Sequence, residues 1–264
     1  MADRFTTSSG SSIYFEDSGA GIPVLAVHGL GGGAYFFRGF AARTQGDCRL
    51  RSVDLPGTGR STSGPQPFTA DSWVRDLGEF IDRVIGEPAV ILGHSLGTIL
   101  ALKGWESWPR HVRALIFVGG LPEVRPAIRE RLTQRIEPVR RDGLAGWGER
   151  VSPGVFSPTT FRSQPEVIGL FERLLEVQDA GAYLRTLQIL LDASALPAVS
   201  TVRVPSIAIT GEDDQYAPPE AVKAFVRQLP RECSVTAIPA CGHLPFLEAP
   251  DIFAGLIRSF LDTL

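Results

Sequence analysis

The chain has 264 residues, 44% of them hydrophobic, enough for one sizeable core with an insertion. Its formal net charge of -3 gives no electrostatic case for a nucleic-acid or anionic-membrane partner. Its basic residues are scattered arginines apart from Lys103 and Lys223, and the arginine-rich run 125–141, broken by acids and prolines, reads as a solvated helix face.

Along the chain, 12–16 alternates weakly and predicts a strand, followed by a turn over 17–23. The apolar run 24–27 predicts a buried strand ending at His28 and a glycine cluster over 29–33, and 48–54 predicts a second strand. A helix is expected from Thr69 to about residue 84, with Trp73, Leu77, Phe80 and Ile81 as its apolar stripe. Strand 89–92, helix 98–105 and strand 112–118 follow. After Leu121 the pattern turns helical, with helices at 126–139, 164–175 and 180–191, before the strand–helix alternation returns at 205–210, 219–229, 234–238 and 252–261. Such alternation predicts an α/β fold with a mostly parallel sheet covered on both faces. The expected organisation is a core in two parts, 1–121 and 200–264, with a helical lid over 122–199.

Cys48, Cys233 and Cys241 form no CxxC pair and read as reduced thiols of a cytoplasmic protein, although Cys233 and Cys241 could meet in space. The N-terminal stretch carries no signal core, and no apolar run approaches the roughly 20 residues that span a bilayer.

The densest chemical signal is Gly93-His94-Ser95-Leu96-Gly97, set between a predicted strand and a predicted helix. That is the form of a nucleophile elbow. A serine hydroxyl is a weak nucleophile at neutral pH and needs a base within hydrogen-bond reach. Of the four histidines, His94 adjoins the serine and suits a packed or hydrogen-bonded role, His28 suits ordering of the first glycine turn, and His111 marks a solvated strand boundary. His243 follows the last strand, where a loop can return over Ser95, and is the expected base. Glu212, Asp213 and Asp214 follow another strand, and one of them can orient the histidine. The chain order Ser–Asp–His is that of the hydrolase arrangement. The Leu96 amide, opening the following helix, is placed to stabilise a developing oxyanion.

Taken together, HGLGG at 28–32, DLPGTGRS at 54–61, GHSLG at 93–97, GEDDQYAPPE at 211–220 and GHLPFLEAP at 242–250 make the chain resemble the α/β-hydrolase superfamily over about residues 10–260. The resemblance implies the α/β-hydrolase fold with an inserted helical lid, Ser95 as nucleophile, His243 as general base and Asp214 as its orienter. Family members place the acid four residues before the proline that Pro218 matches, so the resemblance implies Asp214 rather than Asp213. The resemblance also implies Leu30 as the second oxyanion amide beside Leu96, and Glu248 as a structural acid.

Other readings account for less of the chain. GLGGGA at 29–34 with Asp54 fits a permissive dinucleotide pattern, but explains neither the Ser95 elbow nor the late Asp and His, and little helix-forming sequence separates Gly33 from Gly46. GTGRS at 57–61 lacks a phosphate-loop lysine. A receptor with a retired site would not need the complete triad. The similar haloalkane dehalogenases and epoxide hydrolases place an aspartate where Ser95 stands. Hydrolysis of a small, largely apolar carboxylic ester or lactone is the leading expectation. Carbon–carbon hydrolysis of a ring-cleavage product and cofactor-free perhydrolysis are the alternatives. Pocket candidates are Leu121, Trp147, Phe156, Phe171, Tyr183 and Phe246, with further apolar surface from Val151, Phe161, Leu174 and Leu187, all favouring an uncharged or amphiphilic substrate. No cofactor or metal is called for by ligand spacing.

Overall fold

The computed structural model describes residues 2–264. Its centre is an eight-stranded sheet in the order β1-β2-β4-β3-β5-β6-β7-β8. The strands are β1 (Ala2–Thr6), β2 (Ser12–Gly19), β3 (Ile22–Val27), β4 (Cys48–Val53), β5 (Ala89–His94), β6 (Val112–Val118), β7 (Ser206–Gly211) and β8 (Cys233–Ile238). β1 pairs with β2, and β2 with β4, antiparallel, whereas all later pairings are parallel. β3, β5 and β6 are buried almost throughout, which is why they read as unbroken apolar runs rather than alternating ones.

β1 is absent from the sequence expectations. It is exposed along most of its length and carries no apolar alternation, so only its ladder to β2 makes it a strand.

The helices of the core are α1 (Arg38–Arg43), α2 (Ala70–Phe80), α3 (Leu96–Ser107), α11 (Pro219–Val226), α12 (Pro245–Glu248) and α13 (Pro250–Leu261). α2 starts at a capping box in which Thr69 and Ser72 satisfy each other's backbone amides, and it buries Trp73, Val74, Leu77 and Phe80. α1, preceded by a 3-10 turn at Ala34–Phe37, shows that the stretch after Gly33 does form helix, contrary to the sequence reading. The turn buries Phe36 and Phe37 and α1 buries Phe40, so tertiary packing supplies what intrinsic propensity does not.

Between β6 and β7 the chain is helical: α4 (Pro126–Thr133), α5 (Ile136–Asp142), α6 (Trp147–Val155), α7 (Pro158–Ser163), α8 (Pro165–Glu176), α9 (Ala180–Asp192) and α10 (Leu196–Val199). The expected helix 126–139 is two helices, and α6, with Pro153 inside it, and α7, opened by Pro158, were not anticipated. Proline and glycine obscure their helical periodicity.

The parallel register determines what meets at the sheet's carboxyl edge. Val27 pairs with Gly93, His94 with Val118 and Gly211 with Ile238. The segments leaving β3, β5, β6, β7 and β8 therefore emerge side by side, the usual ligand edge of such sheets.

Candidate active site

Ser95 joins β5 to α3 with φ 53° and ψ -115°, in the left-handed half of backbone space that a non-glycine residue occupies only when its surroundings enforce it. The enforcement is visible. Ser95 N donates to Val118 O at 2.9 Å, Thr98 N donates to Ser95 O at 2.9 Å, and Thr98 Oγ1 donates to Gly93 O at 2.9 Å. A Cβ on Gly97 would lie 2.2 Å from Val27 O, and one on Gly93 would lie 2.3 Å from Gly97 O. These glycines let strand and helix close to backbone contact and lift Ser95 between them.

His243 and Asp214 come together from the loops after β8 and β7. His243 Nδ1 donates to Asp214 Oδ2 at 2.9 Å. This leaves Nε2 of the neutral ring as a lone pair. Asp214 is buried, whereas Glu212 and Asp213 are exposed. Its Oδ1 accepts from the amides of Tyr216 at 2.8 Å and Ala217 at 2.9 Å. Burial by itself raises the Asp214 pKa, but the His243 charge and hydrogen bond, with these two amides, hold it below the usual carboxylate range. A carboxyl whose pKa is depressed on folding contributes stability that is present above its unfolded pKa and lost as pH falls through the folded value. The Tm deficit of Asp214→Asn is therefore expected to be full at neutral pH and to shrink below about pH 4, read from paired melting curves.

The loop that carries His243 is clamped by Glu248, which does not itself line the cavity. Its carboxylate accepts from the amides of Gly242 at 3.0 Å and Leu244 at 3.2 Å, flanking His243. It also accepts from Ser157 N at 2.9 Å and Thr160 Oγ1 at 2.7 Å, on the inserted helices. Glu248→Gln replaces an acceptor by a donor among buried donors. We expect a loss of about 2–3 kcal/mol, seen as a Tm fall of roughly 5–10 °C.

Ser95 and His243 open onto one cavity of about 90 Å³. Leu30, Leu121, Phe171 and Tyr183 share its wall, as do Phe36, Arg135 and Tyr216, which sequence reasoning missed. No hydrogen bond joins Ser95 Oγ to His243 among the described residues; such contacts tighten when substrate is bound. Neither the Leu30 nor the Leu96 amide has a protein acceptor among the described residues. Trp147, Phe156 and Phe246 stand behind the wall instead. Trp147 Nε1 donates to Tyr183 Oη at 3.4 Å, Phe156 packs edge-on against Phe171, and Phe246 packs beneath His94 and Phe36.

The remaining polar candidates have structural partners. His94 Nε2 donates to His243 O at 3.0 Å. Burial, then the neighbouring His243, holds His94 well below the usual histidine range, so it is a neutral donor. His28 Nδ1 donates to Gly29 O at 2.7 Å, while its Nε2 accepts from Leu55 N at 3.1 Å. Asp54 accepts from Ala34 N at 2.7 Å and Arg60 N at 2.8 Å, so its carboxylate braces the glycine loop and is not presented to a ribose. Cys48, Cys233 and Cys241 are all free. The run 125–141 is not wholly a solvated face: Arg135 is only 9% exposed. It sits at the start of α5, bonded to Tyr183 of α9 and to Tyr216 in the loop after β7. Among the described residues no cluster of three His, Cys, Asp or Glu could hold a metal, and no helix is long and apolar enough to cross a membrane.

A mostly parallel sheet with helices on both faces, a helical insertion after β6 and a serine elbow after β5 define a hydrolase fold, and with residues 24–256 matching the Alpha/beta hydrolase family, the chain belongs to it. It is 28% identical over 271 residues to a pimeloyl-[acyl-carrier protein] methyl ester esterase of Nitrosospira multiformis, covering 94% of this chain and 97% of that one. It is 25% identical over 279 residues to the 2-hydroxy-6-oxo-6-(2'-aminophenyl)hexa-2,4-dienoic acid hydrolase of Metapseudomonas resinovorans, covering 98% and 90%. A thermophilic esterase from Thermogutta terrifontis superposes with a TM-score of 0.89 at 25% identity, over 100% of this chain and 98% of that one. Hydrolase chemistry of the ester and lactone kind is thus supported at the level of the family.

Proposed function

We propose that the protein is a serine hydrolase that cleaves a small carboxylic ester or lactone through an acyl-Ser95 intermediate. The observation that carries this reading is the shared cavity of Ser95, on its strained elbow, and His243, whose far nitrogen is held by buried Asp214. His243 Nε2 takes the Ser95 proton as Oγ bonds to the substrate carbonyl carbon. The amides of Leu30 and Leu96 receive the oxyanion. Collapse of the tetrahedral intermediate breaks the carbon–oxygen bond, and protonated His243 gives its proton to the departing alcohol. Water then loses a proton to His243 and adds to the acyl carbon; the acyl–Oγ bond breaks and His243 returns the proton to Ser95 Oγ as the acid leaves. With a lactone, the alcohol stays attached to the acyl group.

Residues 122–199 act as a lid that selects the substrate, with Phe171 and Tyr183 as its contacts beside Leu121 of the core. The small cavity suits a short acyl chain. Carbon–carbon hydrolysis is the second reading, favoured by the hexadienoic acid hydrolase among the relatives at nearly the same identity. Intact-protein mass spectrometry after a fluorophosphonate is expected to show one adduct, absent from Ser95→Ala protein. A panel of short esters, lactones and a vinylogous diketone then decides the bond cleaved, and selective turnover of the diketone replaces the ester reading.

A further inference from the structure

The cavity wall carries a positive charge without a counter-ion. Arg135 lines the cavity, and no carboxylate of the described residues pairs with its guanidinium. Its partners are phenols: Nη1 donates to Tyr183 Oη at 3.4 Å, and Nη2 donates to Tyr216 Oη. Tyr183 Oη also accepts from Trp147 Nε1 at 3.4 Å. Both phenol oxygens are thus engaged as acceptors, and their own protons have no acceptor among the described residues. Arg125 adds a buried, unpartnered Nε on the same wall. The acid on that wall, Glu123, accepts instead from Ser194 Oγ at 2.9 Å.

A guanidinium withdrawn from water without a paired anion is costly, and the phenols bonded to it have only their protons left to offer. A negatively charged, acceptor-only group completes the set. A carboxylate matches the planar fork of an arginine with two parallel hydrogen bonds. Tyr216 sets the distance to the chemistry. Its ring packs against His243 with centroids 4.8 Å apart, and the Arg135 guanidinium carbon lies 5.6 Å from the same ring's centroid. The imidazole and the guanidinium carbon are therefore at most about 10 Å apart, a gap that a short chain with a carbonyl at Ser95 and an anion at Arg135 can bridge.

We propose that Arg135, with Arg125, Tyr183 and Tyr216, binds a carboxylate of the substrate, so that the bond cleaved at Ser95 belongs to a short dicarboxylic half-ester or a carboxylated lactone. This rests on the acyl-transfer reading above, and it replaces the expectation of an uncharged substrate.

The test has two arms using one pair of compounds: monomethyl glutarate and the neutral methyl ester of the same length ending in a primary amide. In the kinetic arm, wild-type kcat/KM is expected to favour the anion by about 10- to 100-fold. Arg135→Met brings that ratio close to one, and Arg135→Lys retains part of it. A wild-type ratio at or below one overturns the proposal, even if Arg135→Met fails to fold. In the binding arm, Ser95→Ala protein is melted with each compound. Monomethyl glutarate is expected to raise its Tm, the neutral ester to raise it less, and Arg135→Met in that background to abolish the difference. Equal shifts, or no shift with either compound, overturn the anion site. If the anion stabilises Ser95→Ala protein but neither ester is turned over by wild type, the acyl-transfer reading fails while the anion site stands.

Discussion

Replacing Ser95 with alanine is expected to lower kcat/KM for the best ester of the panel by about 10⁴-fold or more, with the fold intact. The size follows from what the substitution removes and what it leaves. The atom that forms the acyl bond is gone, while the Leu30 and Leu96 amides and the cavity remain to give weak residual catalysis. No neighbour can take over. His94 is neutral and spends its Nε2 proton on the His243 carbonyl, and the thiol of buried Cys241 is pushed far up by burial and nearby acids. Ser95 Oγ makes no hydrogen bond among the described residues, so thermal melts of the two proteins should nearly coincide. Loss of less than tenfold with an unchanged melt would sink the assignment of Ser95.

The second large effect falls on folding. Gly97→Ala is expected to destabilise the protein by about 3 kcal/mol, a Tm fall of roughly 6–12 °C. The added methyl would meet Val27 O at 2.2 Å and His28 O at 3.3 Å, both of them backbone atoms. β3 is hydrogen-bonded on both sides, to β4 and β5, so it cannot yield without disturbing the centre of the sheet. Guanidinium denaturation gives the check. A change under about 0.5 kcal/mol would mean that α3 can shift, and that the elbow is less tightly fixed than its contacts imply.

The sequence made the sheet and its edge legible because their signals are local. β3, β5 and β6 are apolar runs ending in glycine-rich turns, and the elbow pentapeptide lies between such a run and a helix. The resemblance then singled out Asp214, whose burial and bond to His243 the local spacing could not distinguish from Asp213. The wall of the cavity was less readable. Tyr216 sits in the turn just after Asp214, and its position against His243 depends on a register no local pattern encodes. Arg135 looked like one more surface arginine, and only the packing of α9 and the loop after β7 around it removes it from water. Trp147 and Phe156 had the right composition for a pocket, but the helices rotate them behind Tyr183 and Phe171.

The contacts of the base loop also bear on how the insertion can move. His243 N donates to Val155 O at 2.7 Å, and Ser157 N is held by Glu248. The insertion is therefore riveted at its middle, not hinged only at its ends like a flap. Lifting it as one piece would pull the His243 loop with it. The rivet divides the insertion into a central portion tied to the His243 loop and two flanking portions that supply the cavity wall, Arg135 on one side and Phe171 with Tyr183 on the other.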